Sequence, residues 1–293
     1  MSPGCAPAKV NLWLHVGKRR KDGYHEVGSL IAFALDATDE LTAEPADALT
    51  LKVAGPESAG LSGEADNLIL KAARALAREA GKRDPGAALT LHKSLPVASG
   101  IGGGSADAAA AMRLLNEMWE LDWPLPRLAK IAEEIGADAP VCVWSRPAAV
   151  EGKGERVELL GAWPELHAVL INPRQPVSTK DVFDRHDSAG GKSANRVRLP
   201  LGVAHAAEAI TLVRQGGNDL EPAAMAIAPV IADVLAALRA EPDCALARMS
   251  GSGASCFGLY DGPQAAARAA ARISKAEPGW WVMATRLGGC GEE

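Results

Sequence analysis

Pro96-Val97-Ala98-Ser99-Gly100-Ile101-Gly102-Gly103-Gly104-Ser105-Ala106 leads into an alanine-rich run to Leu121, in which Met112, Leu115 and Met118 share one helical face. Leu89 and Leu91 mark a short strand ahead of it, so the segment reads strand, glycine loop, helix. The glycines open backbone conformations closed to other residues, and a helix beginning near Ser105 aims unpaired amides and a partial positive charge at the loop. An anion fits such a place. Neither common nucleotide fingerprint is met: no Lys follows Gly104, and the residue three after Gly102 is Ser105 rather than glycine. Tight strand-to-helix packing is the competing reading of the same glycines.

Upstream, Lys9 to Val16 alternates, with Val10, Leu12, Leu14 and Val16 on one face and Lys9, Asn11, Trp13 and His15 on the other, which predicts a half-buried strand. The basic run Lys18-Arg19-Arg20-Lys21, the turn dipeptide Asp22-Gly23 and the apolar stretch Val27 to Leu35 complete a hairpin with a basic tip. Asn67 to Ala80 has helical spacing and is stopped by Gly81.

Downstream, a second helix is expected over Arg127 to Ile135, ended by Gly136, and Asp138 falls in the short loop before Pro140 and the apolar run Val141 to Trp144. A composition shift at Gly161 to Pro164 sets the expected domain boundary, giving domains 1–162 and 163–293. The second opens with the apolar stretch Ala168 to Asn172. Ser178 with Asp181 three residues on predicts a capped helix from about Thr179 that includes Phe183, followed by a mobile loop from Asp187 to Asn195. Helices near Ala204 to Arg214 and Val230 to Arg239, two strands flanking Ser250-Gly251-Ser252-Gly253, a helix Gln264 to Lys275 and a strand Trp280 to Thr285 suit a ferredoxin-like layer of helices on an antiparallel sheet.

Composition narrows the partners. The 293 residues carry 31 Lys+Arg against 36 Asp+Glu, net −5, which disfavours nucleic-acid binding by bulk charge, and no apolar stretch is long enough to span a membrane. Without a secretory signal in the first ten residues, a cytoplasmic location is expected. Alanine makes up about a fifth of the chain beside 3 Phe and 2 Tyr, so the core must be large and closely packed. Cys5, Cys142, Cys244, Cys256 and Cys290 form no C-x-x-C pair and read as free thiols.

Any phosphate-bearing ligand therefore needs a local device. Phosphoryl transfer requires an acidic group near the attacking hydroxyl and a cation near the phosphate, roles open to Asp138 and Lys9. Against this, Asp138 also reads as a turn or cap residue and Lys9 as a solvated strand lysine. Ser250 to Gly253 reads equally as a second backbone nest or a tight loop.

Four motifs together resemble the GHMP kinases: Ala8 to Leu12 with Arg19 to His25, Pro96 to Ala106, Gly136 to Pro140, and Met249 to Ala254. The resemblance runs from Lys9 to about Gly258. It implies an α+β, two-domain fold, with an N-terminal ribosomal-protein-S5-like α/β domain, a C-terminal ferredoxin-like α/β sandwich, and the active site in the cleft between them. The reaction implied is ATP-dependent phosphorylation of an alcohol. The Asp22-Gly23-Tyr24-His25 turn points to the branch whose acceptor is a diphosphocytidyl sugar alcohol, in non-mevalonate isoprenoid synthesis; the alternative is a member acting on homoserine or mevalonate. In family terms Pro96 to Ala106 is the ATP phosphate loop, Lys9 and Asp138 are the catalytic pair, and Asn11, Tyr24, His25 and Phe183 shape the acceptor pocket, the aromatic ones around the cytosine. Mg2+ is expected to be carried mainly by ATP, with no protein-only metal site, no nucleic acid or membrane partner, and a monomer or weak homodimer. The loop departs from many relatives at Ala98-Ser99 and Ile101, and the C-terminal domain is less motif-rich.

Overall fold

The alternation of residues 9–16 belongs to a longer strand. In the computed structural model, which describes residues 4–59, 61, 67–83, 85–97, 99–191 and 202–289, β1 (Cys5–Arg19) pairs antiparallel with β2 (His25–Glu44). The turn is closed by Arg20 N–H donating to Tyr24 C=O (2.6 Å) and Gly23 N–H to Arg20 C=O (3.2 Å), as the basic-tipped hairpin predicts. Ala98, residues 192–195 of the expected mobile loop, and Cys290 lie outside the described residues.

β1 is not half-buried. Lys9, Asn11, Trp13 and His15, expected on an open face, are only 3–4% exposed. The edge of β1 away from β2 is covered by loops from both halves of the chain: Lys9 N–H donates to Ile101 C=O (2.8 Å), Asn11 N–H to Ser250 Oγ (3.0 Å) and Leu14 N–H to Gly217 C=O (2.8 Å). Alternation reports which side a residue takes and is silent about what later covers that side.

β3 (Leu49–Ala54), α1 (Leu68–Glu79) and β4 (Ala87–His92) form a crossover whose strands pair in parallel. α1 starts where expected, with Asn67 Oδ1 accepting from Ile69 N–H (2.9 Å). α2 (Gly103–Met118) packs on α1 and α4 as well as on β1 and β2, and Ala106 and Ala108 to Ala111, which point around the whole helix, are all 0–1% exposed. α3 (Leu125–Ala132) ends before Gly136, which is therefore not its stop; Ile135 N–H turns back to Ala132 C=O (3.0 Å). α4 (Ala139–Trp144), β5 (Ala148–Gly152) and β6 (Arg156–Leu159) follow. β3, β5 and β6 were not anticipated from the sequence.

The expected boundary at 162/163 falls between β6 and β7 (Leu166–Asn172). After β7 come α5 (Thr179–Ser188), α6 (Ala206–Gln215), α7 (Glu221–Ile227), α8 (Val230–Ala240), β8 (Cys244–Met249), β9 (Cys256–Tyr260), α9 (Pro263–Ala276) and β10 (Trp281–Gly288). Their strands lie side by side as β10-β7-β9-β8, all antiparallel, the ferredoxin-like order the sequence suggested. β10 also pairs with β2 at Leu287↔Ala34 and Gly288↔Phe33, which makes one sheet across both halves. A core cluster spans the join, with Val10, Leu12 and Leu30 packed among Leu170, Val213, Phe257 and Leu259. No helix among the described residues is long and apolar enough to cross a membrane.

Candidate active site

Two glycine-bearing loops meet above β1. Gly100 (φ +73°) lies so close to the 250–253 loop that a Cβ would stand 2.5 Å from Gly253 O and 2.7 Å from Ser250 O. Ser250 Oγ donates to Gly100 C=O (3.1 Å), Ser255 N–H donates to Ser99 C=O (3.0 Å), and Asn218 Nδ2 donates to Met249 and Gly251 C=O (2.8 Å each). The 250–253 segment is thus a buttress docked on the glycine loop. The first helical bond of α2 runs from Ala106 N–H to Gly102 C=O (2.9 Å). Among the described residues the Gly104 and Ser105 amides have no backbone acceptor, which leaves an amide cradle open at the helix start.

Beside the loop, Lys9 Nζ lies 2.7 Å from Asp138 Oδ1. Gly102 (φ +64°) makes room for the lysine stem, since a Cβ there would sit 3.1 Å from Lys9 Cβ and Cε. Asp138 occupies the position before α4, but its side chain makes no capping bond. The turn between β5 and β6 backs this segment, because Gly154 (φ +129°) abuts Ala137 C=O with no room for a Cβ.

These groups line one cavity of about 1180 Å³, together with Pro96, Val97, Ser99, Gly103 and Ser105. Ile101 and Ala106, counted in the phosphate loop from the sequence, turn instead into the protein interior at 0% and 1% exposure. Asn11, Tyr24, His25 and Phe183 all line the same cavity. Asn11 Nδ2 donates to Ser29 Oγ (2.8 Å), and its buried Oδ1 has no hydrogen-bond partner among the described residues. His25 stacks on Phe183, with ring centroids 4.9 Å apart at 29°. Tyr24 stands apart, half exposed, with Lys153 Nζ 5.3 Å from its ring centroid.

Sequence reading missed several groups here. Asp187, expected to begin a mobile loop, is in the last turn of α5, and its Oδ1 is 2.9 Å from His25 Nε2. Lys153 adds positive charge to the cavity wall, as does Arg19 of the basic hairpin tip that the sequence already marks out. Beneath the glycine loop, Lys93 Nζ bridges Asp39 Oδ2 (2.5 Å) and Asp107 Oδ2 (2.8 Å), and Asp39 Oδ1 accepts from Ser94 and Leu95 N–H (2.6 and 2.8 Å). Burial opposes the charge on Lys93, but the two carboxylates outweigh it and raise its pKa above the ordinary lysine value. Asp107 is pushed up by burial, against the pull of Lys93. Its Oδ1 is buried without a hydrogen-bond partner among the described residues. Nothing in the spacing of residues 39, 93 and 107 announces this triad; only the fold of β2, β4 and α2 brings them together.

The described residues hold no group of three or more His, Cys, Asp or Glu placed to bind a metal ion. The cavity thus combines an amide cradle, a lysine–carboxylate pair and an aromatic end wall.

That combination agrees with comparison to known proteins. Residues 67–146 match the GHMP kinases N terminal domain and residues 205–279 the GHMP kinases C terminal domain. The chain belongs to the GHMP kinase family. Over 289 residues it is 47% identical to a 4-diphosphocytidyl-2-C-methyl-D-erythritol kinase of Rhodopseudomonas palustris, with 96% of each chain covered. The protein of that name from Azorhizobium caulinodans is 49% identical over 288 residues, covering 96% of this chain and 97% of the relative. Among solved structures, a 4-(cytidine 5'-diphospho)-2C-methyl-D-erythritol kinase superposes with a TM-score of 0.75 at 35% identity, covering 97% of this chain and 98% of the other.

Proposed function

We infer that the chain transfers the γ-phosphoryl group of ATP to the 2-hydroxyl of 4-diphosphocytidyl-2-C-methyl-D-erythritol, giving the 2-phosphate and ADP in non-mevalonate isoprenoid synthesis. The observation that carries this reading is the Lys9–Asp138 pair, set between the amide cradle and the His25–Phe183 wall of a single cavity.

Each part has a task. The Gly104 and Ser105 amides and the α2 dipole hold the ATP phosphates. Asp138, whose side chain is 48% exposed, is open to the acceptor. Its carboxylate takes the hydroxyl proton as the new O–P bond forms and the bond to the bridging oxygen of ADP breaks, with that electron pair leaving on ADP. Lys9 beside it offsets charge on the transferred phosphoryl oxygens and orients the carboxylate. Asn11, Tyr24, His25 and Phe183 hold the acceptor, the aromatic groups at its cytosine. Mg2+ travels with ATP and supplies charge neutralisation at the phosphates. On the same reading residues 1–162 form the ATP-binding domain, residues 163–293 bring Phe183 to the acceptor, and the enzyme works in the cytoplasm.

The test is ADP release measured with ATP and the diphosphocytidyl acceptor, then with homoserine or mevalonate in its place. Release stimulated by the diphosphocytidyl compound alone is expected. Release stimulated by homoserine or mevalonate, with indifference to that compound, sinks the assignment.

A further inference from the structure

Lys9 and Asp138 come from different elements, β1 and the start of α4, and α2 packs against both. One buried side chain of α2 ties those two elements together. Arg113 Nη1 donates to Cys142 C=O (2.9 Å) and Val143 C=O (3.3 Å), and Nη2 donates to Cys5 C=O. Cys5 opens β1 four residues before Lys9, and Cys142 and Val143 lie in the last turn of α4. A helix of six residues leaves its last carbonyls without helical donors, and burial makes each of them costly unless another group donates. Arg113 does so. Its guanidinium is charged at any working pH and carries its N–H groups in one rigid plane, so the carbonyls it binds are fixed relative to one another.

Arg113 is not part of the cavity lining, so it touches neither ATP nor acceptor. Its reach to the reacting groups runs through backbone. The Asp138 side chain makes no capping bond, and α4 holds the residue through Cys142 N–H donating to Asp138 C=O (3.4 Å). Cys142 is thus bound to Asp138 by its N–H and to Arg113 by its C=O. We propose that Arg113 is a positioning residue that, by binding β1 and α4 with one guanidinium, sets the separation and angle at which Lys9 meets Asp138. This deepens the functional reading above and rests on its use of that pair as the reacting groups. The amide cradle is spared, because Ser105 and Arg113 are eight residues apart on α2, about 12 Å along the helix axis. A misplacement of about 1 Å at a reacting group costs about 10²-fold in rate, so losing Arg113 acts on turnover and leaves binding alone.

Arg113→Lys keeps the charge but cannot serve carbonyls of two elements at once. It should lower kcat by about tenfold or more, with the KM for ATP and for the diphosphocytidyl acceptor within about twofold of wild type. Leu115→Ala, at a fully buried apolar position of the same helix, is the control for lost stability alone: it should lower the urea midpoint and leave kcat unchanged. Asp138→Asn then tests the route, since Arg113→Lys should cost about twofold or less in that background. Wild-type kcat in Arg113→Lys overturns the proposal. So does a loss confined to KM, an equal loss of kcat in Leu115→Ala, or the same fold-loss with Asp138 already replaced. Should Arg113→Lys not fold, Arg113→Gln, whose amide reaches one element only, undergoes the same measurements with the same outcomes. Absence of ADP release by wild type with the diphosphocytidyl acceptor instead overturns the functional reading, and is seen before any variant is made.

Discussion

Lys9 and Asp138 meet at 2.7 Å across 129 positions of sequence, yet share their solvent unequally: the lysine side chain is 3% exposed and the aspartate 48%. The cation is held in place by burial of its stem, and the carboxylate faces the space where a hydroxyl can approach. On the proposed reading, that asymmetry suits electrostatic support by the first and proton acceptance by the second. Replacing Asp138 by Asn or Lys9 by Met should lower kcat by roughly 10²–10⁴-fold while ATP affinity, measured by calorimetry, stays close to wild type. Unchanged turnover in either variant would remove that residue from the mechanism.

Gly100 and Gly23 both have positive φ, +73° and +88°, but only Gly100 is enclosed, by Gly253 and Ser250. Gly100→Ala should destabilise the protein by about 2 kcal/mol or more and weaken ATP binding, because strain and a backbone clash add. Gly23→Ala has open space for its methyl and should cost about 1 kcal/mol from strain alone. Urea midpoints of the two variants provide the comparison. Equal losses would show that the loop contact contributes nothing.

Phe183 stacks on His25 and is part of the cavity wall. An aromatic pair contributes about 0.5–1.5 kcal/mol beyond area, so Phe183→Ala should raise the acceptor KM by about threefold to tenfold. The KM for ATP should not move. A parallel rise in both constants would instead indicate a loosened fold.

Asp107 has its carboxyl pushed up to about 7, chiefly by burial. The unfolded chain releases that proton near pH 4, by the ordinary aspartate value. Between about pH 4 and about pH 7 the native state therefore binds more protons than the unfolded one, and this group makes stability fall as pH rises. Asp107→Asn removes the titration. Its denaturation midpoint should depend less on pH over that window than wild type does. Lys93, raised rather than lowered, contributes no slope there.

Much of the fold was legible along the chain. The hairpin followed from Asp22-Gly23 between apolar runs, α5 from its Ser178 cap, and the ferredoxin-like half from the order of its helices and strands. The glycine loop was legible as a tight turn into a helix because glycine density ahead of a helix has a local meaning. Short strands such as β5 and β6 were missed, since five and four residues give too little periodicity to stand above the background. Asp187 was read as loop because nothing local distinguishes a carboxylate that ends a helix from one that begins a linker.

Local conformation is decided by neighbours in sequence, and the sequence alone determined the turn, the helix starts, the glycine loop and the types of residue available for phosphoryl transfer. Tertiary structure decided which of them meet. It buried the Lys9 face of β1, turned Ile101 and Ala106 inward, gathered Asp39, Lys93 and Asp107 into one triad, and brought Asp187 to His25. Those outcomes depend on contacts between residues far apart in the chain, and a side chain's solvent, charge and proton are set by what covers it.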